Sequence, residues 1–448
     1  MTHIFAADHV HVIGCGGAGM SGLVRLLHES GVHVSGCNQV MTDEVRSLRD
    51  SGVEIFEGHD PSHVTACSLV TASPSVVPEL PELVGAELAW SRADVFAAVS
   101  AERVTTAIAG THGKTTATSM AVCVWERARR EASWLLGAPV RGVGQNGHGA
   151  SGPELILECD ESFGTFARTT PARVGILNVE ADHLDFYGNY EAVEDAFVSL
   201  ADRSGECVVW VDDAGAGRVA ARTSSPVITV GRESGEWRVT REEVDIDGAS
   251  FILSGPDCEL LISLTVTGSH NVSNAAVVAV VALRNGISTG DVIRGLSDFR
   301  GAPRRFEWLG ERDGTAVIDD YAHLPSEVRA SIAAVRELGA ASVAVLFQPH
   351  RVTRSLALAD EFADAFDGAT TVVIGDIYDA GEPNPDGVTG ELIADAVRAR
   401  VDSPATHYAA TRSDMLEWAL RLCDDHDALL VMGAGDVGEI ARQVTETP

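Results

Sequence analysis

Val104-Thr105-Thr106-Ala107-Ile108-Ala109-Gly110-Thr111-His112-Gly113-Lys114-Thr115-Thr116 decides how this chain folds. Six strand-forming residues run into a glycine turn, and the pattern from Thr115 to about residue 130 is helical. A strand, a tight turn ending in Gly-Lys-Thr and a helix make the setting of a phosphate-binding loop. The amides of such a turn cradle phosphate oxygens, Lys114 neutralises the terminal phosphates, and the Thr115 hydroxyl is placed to hold Mg²⁺. Ile108 stands where the longer form of the motif has its first glycine, so the loop is a shortened one. Lys114 itself reads as lying on an exposed loop.

Outward from this stretch the chain keeps an α/β rhythm. Upstream, strands are predicted over 10–13, 32–35 and 68–72, with helices over 20–30 and 81–91; Pro74, Pro78 and Pro81 punctuate the region between them. Downstream, strands are predicted over 155–158, 174–178, 206–211 and 226–230, then a hairpin-like stretch over 236–267 and a helix over 271–284. A third block adds strands over 316–318, 342–347, 371–374 and 428–432, with helices over 327–337, 356–366 and 434–444. The expected architecture is therefore three α/β domains, 1–103, 104–301 and 302–448, with mainly parallel sheets and Rossmann-like outer blocks.

The 448 residues include 33 Lys and Arg against 65 Asp and Glu, a net charge of −32. Such a surface repels phosphate backbones and anionic lipid, so neither nucleic acid nor a membrane is an expected partner. The eight cysteines form no CxxC pair, which fits reduced thiols in a cytoplasm. No basic stretch precedes an apolar core in the first eleven residues, and the longest apolar run is about half of a membrane span.

Several polar clusters follow predicted strands, where α/β ligand sites form. Gly14-Cys15-Gly16-Gly17-Ala18-Gly19 has the GxGxxG form between a strand and a helix, suited to a diphosphate. Asn38 occupies the place of the acid that binds a nicotinamide cofactor's ribose, which disfavours a dinucleotide. Glu158-Cys159-Asp160-Glu161-Ser162 and the run from Asn178 to His183 supply carboxylates and an imidazole for a hard cation. Asn271 and Asn274 lie three apart at a helix start, where Asn271 is either a ligand contact or an N-cap. Arg304, Arg305, Asp319-Asp320-Tyr321-Ala322-His323 and Gln348-Pro349-His350-Arg351-Val352-Thr353-Arg354 concentrate scarce cations near strand ends and point to an anion site.

Taken in order, these segments resemble the Mur ligase family. The matching stretches are GCGGAGMSG at 14–22, GTHGKTTATSM at 110–120, 158–162, NVEADHLDFYG at 178–188, 270–274, 304–306, 319–325, FQPHRVTR at 347–354, 376–378 with 387–392, and GAGD at 433–436. The resemblance implies an ATP-dependent carboxylate–amine ligase of peptidoglycan precursor synthesis. Its expected activity joins L-alanine to the lactyl carboxylate of UDP-N-acetylmuramate through an acyl phosphate; the alternative is a sister ligase that attaches a peptide in cell-wall recycling. The implied cofactors are ATP and Mg²⁺ or Mn²⁺.

Carried over residue by residue, the resemblance gives ATP to Gly110, Thr111, His112, Gly113, Lys114, Thr115 and Thr116, with Asn271 and Asn274 near the adenine. Arg305 and Asp320 complete that nucleotide site across the domain boundary. Thr115 and Glu158 are expected to hold one metal ion and His183 a second. Gly14, Gly16, Gly17, Gly19, Met20, Ser21, Asn38, His59, Ser73, Asp160, Glu161 and Ser162 are expected at the UDP substrate. Tyr321, His323, His350, Arg351 and Arg354 are expected at the amino acid. Departures from the family pattern are Phe163, Leu324, Val352 and Asn38, and no lysine follows between His183 and Leu200.

Overall fold

Three sheets follow one another along the computed structural model, which describes residues 3–446 apart from 75, 77, 78, 142 and 143. Pro78 thus lies outside the described residues. The first sheet orders its parallel strands Glu54–Glu57, Val34–Asn38, Val10–Ile13, Leu69–Ala72 and Ala89–Trp90. Val10–Ile13 is central and wholly buried, as a continuous apolar run in a parallel sheet should be. The chain leaves it on one side and returns on the other, so its carboxyl end is a topological switch point.

In the second sheet, of ten strands, Val104–Ala109 pairs in parallel with Glu154–Cys159 and with Arg173–Ile176. The hairpin-like stretch is there: Gly248–Ser254 and Glu259–Leu264 pair antiparallel, and Glu259–Leu264 alternates exposed and buried residues. The third sheet runs Glu307–Arg312, Thr315–Asp320, Ala428–Met432, Val343–Phe347, Thr371–Gly375, Ala405–Ala409, parallel except at its first pair.

Two predicted helices are corrected. The helix expected over 81–91 stops at Gly85; Ala89–Trp90 then adds an edge strand, and Ser91 caps a new helix, Arg92–Ala101. The Ser91 hydroxyl accepts from the Asp94 amide at 3.2 Å while Asp94 accepts from the Ser91 amide at 3.3 Å, a reciprocal cap that starts a helix afresh. The helix expected over 356–366 is broken at Leu358, whose φ of −111° and ψ of 10° leave the helical region, giving Val352–Ala357 and Ala359–Phe362.

The chain forms two compact units. One comprises Met1–Glu243, Gly248–Val266 and His270–Ala302; the other comprises Val244–Asp247, Thr267–Ser269 and Pro303–Pro448. The first two sheets share a unit because their cores are continuous. Leu135, Leu155 and Leu157 of the second sheet pack into the cluster built on Val10, Leu23 and Leu27, at about 1.5–3 kcal/mol of burial for each leucine. The helix Ala18–Glu29 also approaches the strand Gly147–His148 closely: a Cβ on Gly147 would lie 2.0 Å from the Gly22 carbonyl oxygen. Beside it the Asn146 amide donates to the buried Ser21 hydroxyl at 2.8 Å. Gly147→Ala should therefore lower unfolding free energy by about 1–3 kcal/mol, read from a denaturant midpoint. An unshifted midpoint would mean that this contact yields without strain. Among the described residues no helix is long and apolar enough to cross a membrane.

Candidate functional site

The glycine turn after Val104–Ala109 is held from below. Gly110 and Gly113 take φ values of +150° and +77°, and a Cβ on Gly113 would meet the Asn274 side chain at 2.8 Å. Asn178 fixes the turn from the neighbouring strand end, its carbonyl accepting from the Thr111 amide at 3.1 Å and its side chain from the His112 amide at 2.7 Å. The helix Lys114–Arg127 starts directly behind it, with its free amides turned toward the loop. Asn271 and Asn274 both lie within the helix Ser269–Arg284 and are nearly buried, so Asn271 is not its N-cap.

Lys114 is not on an exposed loop. Its ammonium donates to both Glu161 oxygens at 2.9 and 2.8 Å and to the Thr111 carbonyl at 3.0 Å, and the two side chains are 13% and 1% exposed. Burial alone would lower the Lys114 ammonium, but Glu161, Asp160 and Glu158 outweigh it and raise it. Burial also pushes the Glu161 carboxyl up, against the pull of Lys114. A phosphate entering the loop meets a cation already aimed and desolvated.

The residues expected at metals fall in two places. The Thr115 hydroxyl donates to Glu158 at 2.9 Å, and the other Glu158 oxygen accepts from the Gly137 amide at 2.7 Å. His183, in the left-handed region at φ 52°, brings its Nε2 to 4.0 Å from Glu161 and 3.5 Å from Asp182. Asp160, Glu161 and His183 offer donor atoms within 4.8 Å of one another. Both donor sets are oxygen-rich and fit a hard, phosphate-bound cation. Asp160 and Glu161, expected at the UDP substrate, thus stand with His183 and Lys114 at the phosphate loop.

At the switch point of the first sheet, Gly14 takes φ +69° with Ser73 3.1 Å from where its Cβ would be. The Asn38 side chain accepts from the Gly16 amide at 3.2 Å. Met20 and Ser21 point inward and are buried, so they brace the loop. A cavity of about 350 Å³ opens beside it, lined by Ser73, Trp90, Ser91, Arg92 and Thr165 among others. Arg92 is a residue that sequence reasoning missed here: a Cβ on Gly19 would meet its guanidinium at 2.7 Å, and it lies 3.8 Å from Asp160. Its signal was a scarce cation directly after a capping serine. His59 turns away from the loop toward Cys37 and Glu82.

The second unit gathers the remaining candidates. Arg304 is committed to the fold, donating to the carbonyls of Gly435 at 2.9 Å and Gly433 at 2.6 Å. Both guanidinium groups also lie over the Tyr321 ring, Arg304 at 5.3 Å and Arg305 at 4.2 Å. Asp320, capped by the Ser331 hydroxyl, is raised to about 6 by burial. His350 stacks on Tyr378, lies 6.0 Å from His323 and receives Arg354 at 3.3 Å. Burial, then His323, Arg354 and Arg351, push it down to about 3, so it is a neutral acceptor. Arg351 has φ +71° and faces Glu382 at 3.7 Å. Tyr378 and Glu382 complete this cluster; Tyr378 sat in a matched motif without a role, and Glu382 had no signal.

Comparison with known proteins places this geometry. Residues 9–102 match the model of the Mur ligase family catalytic domain, 154–282 the Mur ligase middle domain, and 304–435 the Mur ligase glutamate ligase domain. The UDP-N-acetylmuramate–L-alanine ligase of Cutibacterium acnes is 38% identical over 447 residues, covering 96% of this chain and 94% of the relative. That of Thermobifida fusca is 36% identical over 98% of this chain and 96% of its own. The solved structure of UDP-N-acetylmuramate–alanine ligase from Thermotoga maritima superposes with a TM-score of 0.78 at 28% identity, over 98% of both chains. The phosphate loop, the switch-point loop and the His–Arg cluster each fall within or between the matched segments, and the chain belongs to the Mur ligase family.

Proposed function

We propose that this chain ligates L-alanine to the lactyl carboxylate of UDP-N-acetylmuramate at the expense of ATP, in the cytoplasm. The observation that carries the reading is the Lys114–Glu161 and Thr115–Glu158 pairing at one sheet edge, beside a glycine loop fit for a second phosphorylated ligand. Residues 1–103 serve the UDP substrate, 104–301 ATP, and 302–448 the amino acid. Gly14, Gly16, Gly17, Gly19, Asn38, Ser73 and Arg92 hold the UDP substrate, and residues 110–116 hold the ATP phosphates with Asn271 and Asn274 near the base. Thr115 and Glu158 would hold one Mg²⁺, and His183 with Asp160 a second. Bound there, the ions would neutralise phosphate charge.

The chain's own groups then act in sequence. Lys114 trades Glu161 for the γ-phosphate and stabilises the charge that gathers as the lactyl carboxylate oxygen attacks phosphorus and ADP leaves. Tyr321, His323, His350, Arg351 and Arg354 present alanine, whose amine attacks the acyl carbon. The amine loses a proton, the C–O bond to phosphate breaks, and inorganic phosphate departs.

Phosphate release with ATP and UDP-N-acetylmuramate, measured across a panel of amino acids and an L-alanyl tripeptide, tests this reading. Alanine should be the best acceptor; release only with the tripeptide would assign the recycling reaction instead. On the metal side, Glu158→Ala should raise the Mg²⁺ concentration for half-maximal rate by about tenfold or more, while Cys159→Ala should be mild, since a thiol is a poor ligand for Mg²⁺. Superimposable Mg²⁺ titrations for Glu158→Ala and the parent would remove Glu158 from the ligand set.

A further inference from the structure

Five donor side chains gather beside the first sheet, His11 and Cys37 on its strands and His59, His63 and Glu82 on the segments packed against them. Cys37, at the end of Val34–Asn38, places its Sγ 3.4 Å from His59 Nδ1 and 3.5 Å from Glu82 Oε1, and those two atoms are 3.3 Å apart. The three atoms form a nearly equilateral triangle. A four-coordinate ion with bonds of about 2.0–2.3 Å separates its ligands by about 3.3–3.8 Å, so this triangle has the size of one tetrahedral face. Two further imidazoles flank it. His11 Nε2 lies 3.4 Å from Cys37 Sγ, and His63 Nδ1 lies 3.3 Å from Glu82 Oε1. His11 is already oriented by its other nitrogen, 2.8 Å from the Ser35 hydroxyl, as a ligating histidine is by its outer partner.

Pairwise hydrogen bonding does not account for the cluster. The Glu82 side chain is fully buried, and among the described residues its Oε2 has no partner and no Lys or Arg pairs with it. Its Oε1 takes a good bond from the Asp60 amide at 2.9 Å, yet both imidazoles stand off at 3.3 Å. Charge-assisted bonds would close to about 2.7–2.9 Å. A thiolate with imidazoles and one carboxylate selects a borderline ion such as Zn²⁺ over Mg²⁺.

We propose that Cys37, His59 and Glu82 bind one Zn²⁺ through the triangle of donor atoms they already form; His11, beside Cys37, and His63, beside Glu82, do not reach all three donors as placed, and a water completes the shell. The site is structural. It ties the loop at His59 and the helix Pro81–Gly85 to the end of the strand that carries Asn38.

The test uses the full chain, stripped with a chelator and reloaded with Zn²⁺ alone. One equivalent should bind, and zinc-edge X-ray absorption should show one sulfur at about 2.3 Å with nitrogen and oxygen at about 2.0–2.2 Å. Cys37→Ser should weaken Zn²⁺ at least about 100-fold by chelator competition, whereas Cys67→Ala, altering a thiol outside the set, should not. The spectrum of the unaltered chain decides the matter even if Cys37→Ser does not fold. A shell of nitrogen and oxygen only, less than one equivalent bound, or equal affinity in Cys37→Ser overturns the site.

Discussion

Lys114→Ala should lower ligation turnover by roughly 10³-fold, or about 4 kcal/mol of transition-state stabilisation. The loss has two origins that a single variant cannot separate. Lys114 is aimed at the phosphate loop, but it also neutralises Glu161, whose side chain is 1% exposed. Removing one member of a buried ion pair costs about 3–5 kcal/mol because the other charge is left uncompensated. The variant should therefore melt earlier as well as fail to turn over. Adding Glu161→Gln removes the stranded charge, and the double variant should regain most of the lost stability while staying inactive. Both readouts come from one preparation: a denaturant midpoint and a phosphate-release rate. Near-normal turnover in Lys114→Ala would remove the P-loop assignment, and activity restored in the double variant would make Lys114 a structural partner of Glu161 and nothing more.

That coupling marks the boundary of what the sequence makes legible. The phosphate loop is readable because its strand, glycines and helix are contiguous, and local sterics alone dictate the turn. The same holds for the switch-point loop at Gly14–Gly19. Pairings across distant residues carry no local signature. Lys114 and Glu161 are 47 residues apart, and Arg92 lies 3.8 Å from Asp160 although the chain separates the two widely. Reading the loop as exposed followed from its motif, while the burial of Lys114 follows from three strand ends meeting there. The misplaced helices are local errors: Pro81 announced a start, but Gly85 and the Ser91 cap, which end it and begin another, were passed over. Adjacent Arg304 and Arg305 are alike in sequence and both lie over Tyr321, yet Arg304, at φ +55°, also donates to the Gly433 and Gly435 carbonyls, more than a hundred residues away. The Cys37, His59 and Glu82 set spans 45 residues and has no spacing pattern at all.

Arg351→Ala should raise the KM for alanine about 30- to 1000-fold, equivalent to roughly 2–4 kcal/mol. Alanine has one methyl group, so its carboxylate and ammonium must supply most of its binding. In the proposed reaction Arg351 is the group that meets the carboxylate. Its backbone is held in the left-handed region, a strained position that the bond from its amide to the Tyr378 carbonyl at 2.8 Å maintains. Its guanidinium faces Glu382 at 3.7 Å, beyond a good ion pair, and Glu382 is itself tethered to Thr353 at 3.0 Å. A planar fork of this kind grips an incoming carboxylate through two parallel, charge-assisted bonds. The neutral His350 imidazole accepts from Arg354 at 3.3 Å and so helps hold that second guanidinium in the cluster, and Tyr378 stacked on it keeps its plane fixed. Arg351→Lys retains the charge and loses the fork, so its KM should fall between the parent and the alanine variant. ATP and UDP-N-acetylmuramate should still react in Arg351→Ala, and borohydride trapping without alanine should yield as much reduced acyl phosphate as the parent. A normal alanine KM in that variant would place the amino acid elsewhere, and loss of the trapped intermediate would mean that Arg351 serves activation and not capture.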